Sequence, residues 1–103
     1  MVRDAETIPF RRFMELMKAK DWAGAVNAAE AEMLRVPEWP TPYYVAGKAY
    51  ANLCNKDKAL MSLRQFTSRV AGKPGFAIYA DNVEQNIKAL ESGQLPDQCS
   101  KQP

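Results

Sequence analysis

Laid over itself at a displacement of 34 residues, the chain meets its own pattern again. Ala25 falls on Ala59, Val36 on Val70 and Pro40 on Pro74. Apolar residues coincide at Val26 and Leu60, Ala29 and Leu63, Leu16 and Tyr50, and Leu53 and Ile87. Self-similarity at a fixed period of this length marks a repeat architecture, in which each unit buries its apolar face against its neighbours.

The local patterns agree with that period. Phe10, Phe13, Met14, Leu16 and Met17 recur at helical spacing and predict a first helix from Phe10 to Ala19. Lys20-Asp21 interrupts it, and Asp21 suits an N-cap. Trp22, Ala25, Val26, Ala29, Met33 and Val36 then mark a second helix. Pro37, Pro40 and Pro42 must break it, because proline lacks the amide donor and clashes with the preceding turn. Thr41 is expected to cap a third helix, with Pro42 at its first position, running to about Cys54. Tyr43, Ala46, Tyr50 and Leu53 share one face of it. After a polar stop at Asn55, Ala59, Leu60, Leu63, Phe66 and Val70 mark a fourth helix, ended by Ala71 to Gly75. A fifth runs from about Phe76 to Glu91, with Val83, Ile87 and Leu90 as its stripe. No segment shows the strict alternation of a half-buried strand. The expectation is one all-α domain over residues 1–91, followed by a flexible Gly-, Pro-, Ser- and Gln-rich tail over 92–103.

The second unit reads Tyr43-x-x-Ala46-Gly47-x-x-Tyr50, then Ala59-x-x-x-Leu63. It resembles the tetratricopeptide repeat, whose pattern is an aromatic, two residues, Leu-Gly, two residues, Tyr, then Ala, three residues, an aromatic, and a closing Pro. The first unit matches in part: Leu16 stands at the Tyr place, Ala25 and Ala29 follow, and Pro37 falls at the closing Pro. Pro9, Arg12 and Phe13 replace its aromatic-Leu-Gly portion. The resemblance covers about residues 6–91, with repeats at about 6–39 and 40–73 and a closing helix at about 76–91. It implies a right-handed helical solenoid of two helix-turn-helix hairpins plus a fifth, capping helix. Gly47 and Ala59 would be small where the helices of a hairpin cross. Tyr50 and Phe66 would fill the space between hairpins.

Composition narrows the chemistry. Fourteen Lys and Arg against twelve Asp and Glu leave a net charge of +2, too weak a bias to argue for nucleic acid or an anionic membrane. No apolar run approaches the length of a membrane span. The absence of His removes Ser-His and Cys-His nucleophile pairs and the commonest transition-metal ligand. No Gly-rich phosphate loop is present, and Cys54 and Cys99 do not stand at metal spacing. The expectation is no enzyme activity and no cofactor or metal. The polar start lacks the apolar stretch of a secretory signal, and two cysteines are too few for a disulfide scaffold. Free thiols and a cytoplasmic location follow as expectations.

In the family that the chain resembles, the first helices of successive hairpins line a concave groove that holds extended peptides or partner helices. Carried over residue by residue, that groove comprises Phe10, Met14 and Met17, then Tyr44, Lys48 and Asn52, then Ile78, Asn82 and Gln85. The family's carboxylate clamp needs Lys and Asn one turn apart on the first helix, where this chain has Phe10 and Met14. The resemblance therefore implies a non-catalytic protein-interaction module with a protein or peptide partner. The alternative is a homodimeric scaffold, since two repeats fall short of the three or more that usually make a stable array.

Overall fold

The structure is a computed structural model and describes residues 4–96 and Cys99. It contains five α-helices: α1 (Asp4–Lys18), α2 (Trp22–Arg35), α3 (Thr41–Asn52), α4 (Lys56–Val70) and α5 (Ala77–Glu91). A 3-10 turn over Pro74–Phe76 leads into α5. No strand occurs among the described residues. Each helix packs on its successor in sequence, and α1 also reaches α3. The molecule measures 47 × 29 × 20 Å.

Two apolar clusters form the core, and α3 belongs to both. Phe13, Ala25, Val26, Ala29, Val45, Ala46 and Ala49 join α1, α2 and one side of α3. Tyr43, Ala59, Leu60, Leu63, Phe66, Val70, Val83, Ile87 and Leu90 join the other side of α3 to α4 and α5. Met33 and Tyr50 pack on both clusters. The stripe Val83, Ile87 and Leu90 is buried and covers the second hairpin, as its spacing predicts.

The ends of α1 and α3 are built alike. The amide of Lys20 donates to the Met17 carbonyl at 3.1 Å, and that of Asp21 to Leu16 at 2.9 Å. At the second turn Cys54 donates to Ala51 at 3.1 Å and Asn55 to Tyr50 at 2.9 Å. This is the paired bonding of a helix that stops on a left-handed residue. Each turn then caps the next helix. Asp21 Oδ1 accepts from the Gly24 amide at 3.0 Å, and Asn55 Oδ1 from the Lys58 amide at 3.1 Å. Every one of these residues lies 34 positions from its counterpart. α5 ends on the same bonds, Gly93 to Leu90 at 3.0 Å and Gln94 to Ala89 at 2.9 Å, with Gly93 at φ 89°.

The helix crossings also correspond, with the volumes exchanged. A Cβ on Gly47 would lie 2.6 Å from Leu63 Cγ, so α3 and α4 approach closely only because Gly47 has no side chain. The equivalent residues of the first hairpin are Phe13 and Ala29, both fully buried in one cluster. The large member sits on the second helix in one hairpin and on the first helix in the other. Phe13 also stacks on Trp39 at 5.9 Å, so Trp39 is half-buried.

The linker between hairpins is clamped from both sides. Tyr43 Oη and Arg69 Nε each donate to the Pro37 carbonyl at 2.9 Å, and the Arg69 guanidinium lies 3.9 Å above the Tyr43 ring.

Several boundaries differ from the sequence reading. α1 starts at Asp4, six residues before Phe10, and carries Pro9 inside it. A proline there forfeits one early backbone bond, and the apolar spacing that marks the helix begins only afterwards. Thr41 is already helical, and Pro40 precedes it with no side-chain cap. α3 stops at Asn52, because Leu53 and Cys54 form the turn; Leu53 is exposed instead of joining the apolar face.

The largest correction concerns the cysteines. Cys54 and Cys99 form a disulfide, with Cα atoms 5.5 Å apart across 45 residues of chain. Free thiols were expected because two cysteines are too few for a disulfide scaffold; a single bond across 45 residues needs only the fold to bring the pair together. The described part of the expected flexible tail is accordingly held: Leu95 packs on the second cluster and Cys99 is bonded to the α3–α4 turn.

Candidate functional site

α1, α3 and α5 carry the residues expected to form the groove. Phe10 and Met14 are 40% and 47% exposed, so they do not fill the interior of the first hairpin. Met17 is half-buried and packs on the first cluster. On α5 Ile78 is 77% exposed and its neighbour Tyr79 55%. Asn82 and Gln85 are exposed.

α3 contributes the most structured part. Tyr44 is half-buried, its ring tilted against Phe66 at 5.5 Å; Phe66 in turn meets Phe76 edge-on at 6.4 Å. Expected as a groove residue, Tyr44 is thus packed on its neighbours and does not stand free in solvent. Lys48 Nζ lies 5.7 Å from the centre of that ring. A cation over an aromatic face is attracted by its quadrupole, which orients the lysine along α3. Burial pushes the Lys48 ammonium below its usual pKa range. Burial, and then the neighbouring Tyr79 phenol, push the Tyr44 phenol above its own. Asn52 Nδ2 donates to the Lys48 carbonyl at 2.9 Å.

Lys48 and Asn52 lie in one 240 Å³ cleft between α3 and α5. From α5 the residues that meet them there are Asn86, Ala89 and Leu90, not Asn82 or Gln85. Gln94, Leu95 and Pro96 form a further wall. Asn86 follows Asn52 by 34 positions, so the period held the signal that finds it. Nothing local in the sequence indicates that residues 94–96 return to this cleft.

A second cleft, of 440 Å³, lies between α2 and α4. Its walls include Met33, Met61 and Gln65, with Tyr43 and Tyr50 from α3. Lys58 Nζ sits 5.6 Å over the Tyr50 ring, and Tyr50 Oη donates to Glu30 Oε2 at 2.9 Å. Burial, the Glu30 bond and the Glu30 charge together raise the Tyr50 phenol above its usual range.

Among the described residues no group of three or more His, Cys, Asp or Glu side chains could hold a metal ion. No helix among them is long and apolar enough to cross a membrane. Comparison of the chain with family models, with curated proteins and with solved structures finds no match.

Proposed function

We propose that the chain is a tetratricopeptide-like interaction module that holds an extended peptide along α1, α3 and α5. The observation that carries this reading is the half-buried Tyr44 on the central helix, with the exposed Phe10 and Met14 on α1 and the exposed Ile78 and Tyr79 on α5. Large side chains left in water are what an apolar partner would cover. Methionine adapts to partners of different shape. Lys48, Asn52 and Asn86 would meet the peptide's carbonyls toward the other end. The identical turn bonding at Lys20 and Cys54 and the serial packing of the helices support the repeat reading. The disulfide supports work in an oxidising compartment, where such bonds persist, over the cytoplasm expected from sequence.

The test is selection of linear peptides from a random display library on the oxidised chain, followed by titration against variants. Ile78→Asp and Met14→Asp should weaken the selected peptides about thirtyfold, as loss of a central apolar anchor does. Leu34→Asp, at an exposed position on α2, should leave binding unchanged. Peptides lost with Met61→Asp but not with Ile78→Asp would move the site to the α2–α4 cleft. A concentration-dependent dimer in sedimentation, abolished by Ile78→Asp, would favour the homodimeric scaffold.

A further inference from the structure

The cleft between α3 and α5 is closed along one side by an extended segment of the chain itself. After Gly93 the backbone turns back, and Gln94, Leu95 and Pro96 run beside Lys48, Asn52 and Asn86. Leu95 packs on the core cluster of α3, α4 and α5. The amide of Cys99 donates to the Pro96 carbonyl at 2.9 Å, and Cys99 Sγ lies 3.7 Å from the Ala51 carbonyl. The bond to Cys54 then fixes this segment to the end of α3.

Cys54 itself points to the bond. It holds φ 64°, a conformation that glycine adopts freely and a residue with a Cβ does not. Its sulfur is bonded to Cys99, three residues beyond Pro96. Both cysteines are partly exposed, so a reductant can reach the pair.

We propose that residues 94–96, anchored through Cys99, are a redox-released strap over a peptide site between α3 and α5, and that the ligand of this site is a segment like the strap: an apolar side chain followed by proline, with an amide-bearing residue before them. The proposal rests on the reading of α1, α3 and α5 as a peptide groove and assigns its Lys48 end a specific ligand class. Release needs a dithiol reductant. One of its thiolates attacks a sulfur of the pair, the Cys54–Cys99 bond breaks and a mixed disulfide forms. The second thiol of the reductant then displaces the protein sulfur. Two electrons pass to the protein, its cysteines leave as two thiols, and the reductant leaves as a disulfide. With this second anchor cut the segment stays attached only through Gly93, its effective concentration at the site falls, and a peptide in solution can compete for the site.

Hydrogen exchange and a binding titration test this on the full chain, oxidised and then reduced with dithiothreitol. Cys54→Gly serves as a second route, since it removes the bond at a position whose backbone suits glycine. A far-UV melt confirms that each form is folded. Reduction and Cys54→Gly should each raise exchange over residues 93–96, and also over 48–52 and 86–90, about tenfold or more beyond the rise that lower global stability gives residues 22–35. A fluorescent peptide acetyl-Gly-Gln-Leu-Pro-amide should bind the reduced chain and Cys54→Gly at least tenfold more tightly than the oxidised chain. Exchange over 93–96 raised no more than over 22–35 overturns the strap. Raised exchange with no gain in binding of the probe overturns the peptide site beneath it. In either case the library peptides selected on the oxidised chain judge the wider groove independently, because their anchors on α1 and at Ile78 lie away from the strap.

Discussion

Lys20 and Cys54 stand 34 residues apart and adopt the same left-handed backbone, at φ 59° and 64°. They are the described non-glycine residues with positive φ. Each ends the first helix of a hairpin and is followed by the capping residue of the second, Asp21 or Asn55. The turn geometry thus repeats where the residue identities do not. An L-residue in this region costs about 1 kcal/mol that glycine avoids. Lys20→Gly should therefore stabilise the chain by about 1 kcal/mol and raise its melting temperature by several degrees. A thermal melt that falls instead would mean that the lysine stem contributes packing that outweighs its backbone strain.

Gly47 and Leu63 offer a test of the second crossing. Gly47→Ala adds a methyl group against Leu63, which is fully buried and has little room to move. Overpacking costs about 1–3 kcal/mol, against a gain of about 1 kcal/mol from better helix propensity. Net destabilisation is expected. In a Leu63→Ala background the same change should cost less, since the methyl then enters the space left by the leucine. Urea denaturation of the four chains measures the coupling. Additive effects would show that the two residues do not meet.

The disulfide closes 45 residues of chain, and constraint of the unfolded state by a loop of that length contributes about 4 kcal/mol in the chain-entropy account. Reduction should lower the melting temperature by more than ten degrees while leaving the helical signal at low temperature intact. Because Leu95 packs on the core, truncation after Ser92 should match or exceed the effect of reduction. A truncated chain that melts like the oxidised parent would release the tail from any structural role.

Alkaline pH should weaken the fold through its tyrosines. The folded-state pKa values of Tyr44 and Tyr50 lie above the unfolded value, so the folded chain holds these protons longer. That contribution is fully present below about pH 10 and is lost as pH rises through the folded values. Lys48 has the opposite sign: its folded pKa is depressed, so stability rises as pH climbs toward the unfolded value and the ammonium no longer resists burial. Tyr50→Phe should flatten the alkaline loss in pH-dependent melts, and Lys48→Met should steepen it by removing the opposing gain.

The helices were legible in the sequence because their apolar residues recur at helical spacing over more than two turns each. Asp21 and Asn55 were readable as helix starts from their position alone, and both bond as N-caps. The first half-turns of α1 were not readable, since Pro9 and the polar residues before it carry no periodic signal. Tyr44 was legible as a central residue but not as a half-buried one. The Phe66 ring that it packs on comes from α4 and is itself met by Phe76 from the turn before α5, and that meeting is a product of the fold. The return of Leu95 and Cys99 to α3 is likewise a long-range event, and no local pattern in the last residues announces it.

Tyr44 is where stability and binding should separate least cleanly, and two substitutions separate them. Tyr44→Ala removes a ring that packs on Phe66 and supports Lys48, so it should destabilise the fold by about 1–3 kcal/mol as well as weaken peptide binding. Tyr44→Phe keeps the ring on Phe66 and beneath Lys48 and removes only the hydroxyl. If the ring is the anchor, Tyr44→Phe should bind selected peptides within about twofold of the parent, while Tyr44→Ala loses about thirtyfold at a temperature where it is still folded. If the hydroxyl holds the peptide, Tyr44→Phe alone should lose about fivefold or more, the worth of about one hydrogen bond. Full binding by both variants, in titrations run well below their melting temperatures, would remove Tyr44 from the site and leave its ring a purely structural part of the α3–α4 interface.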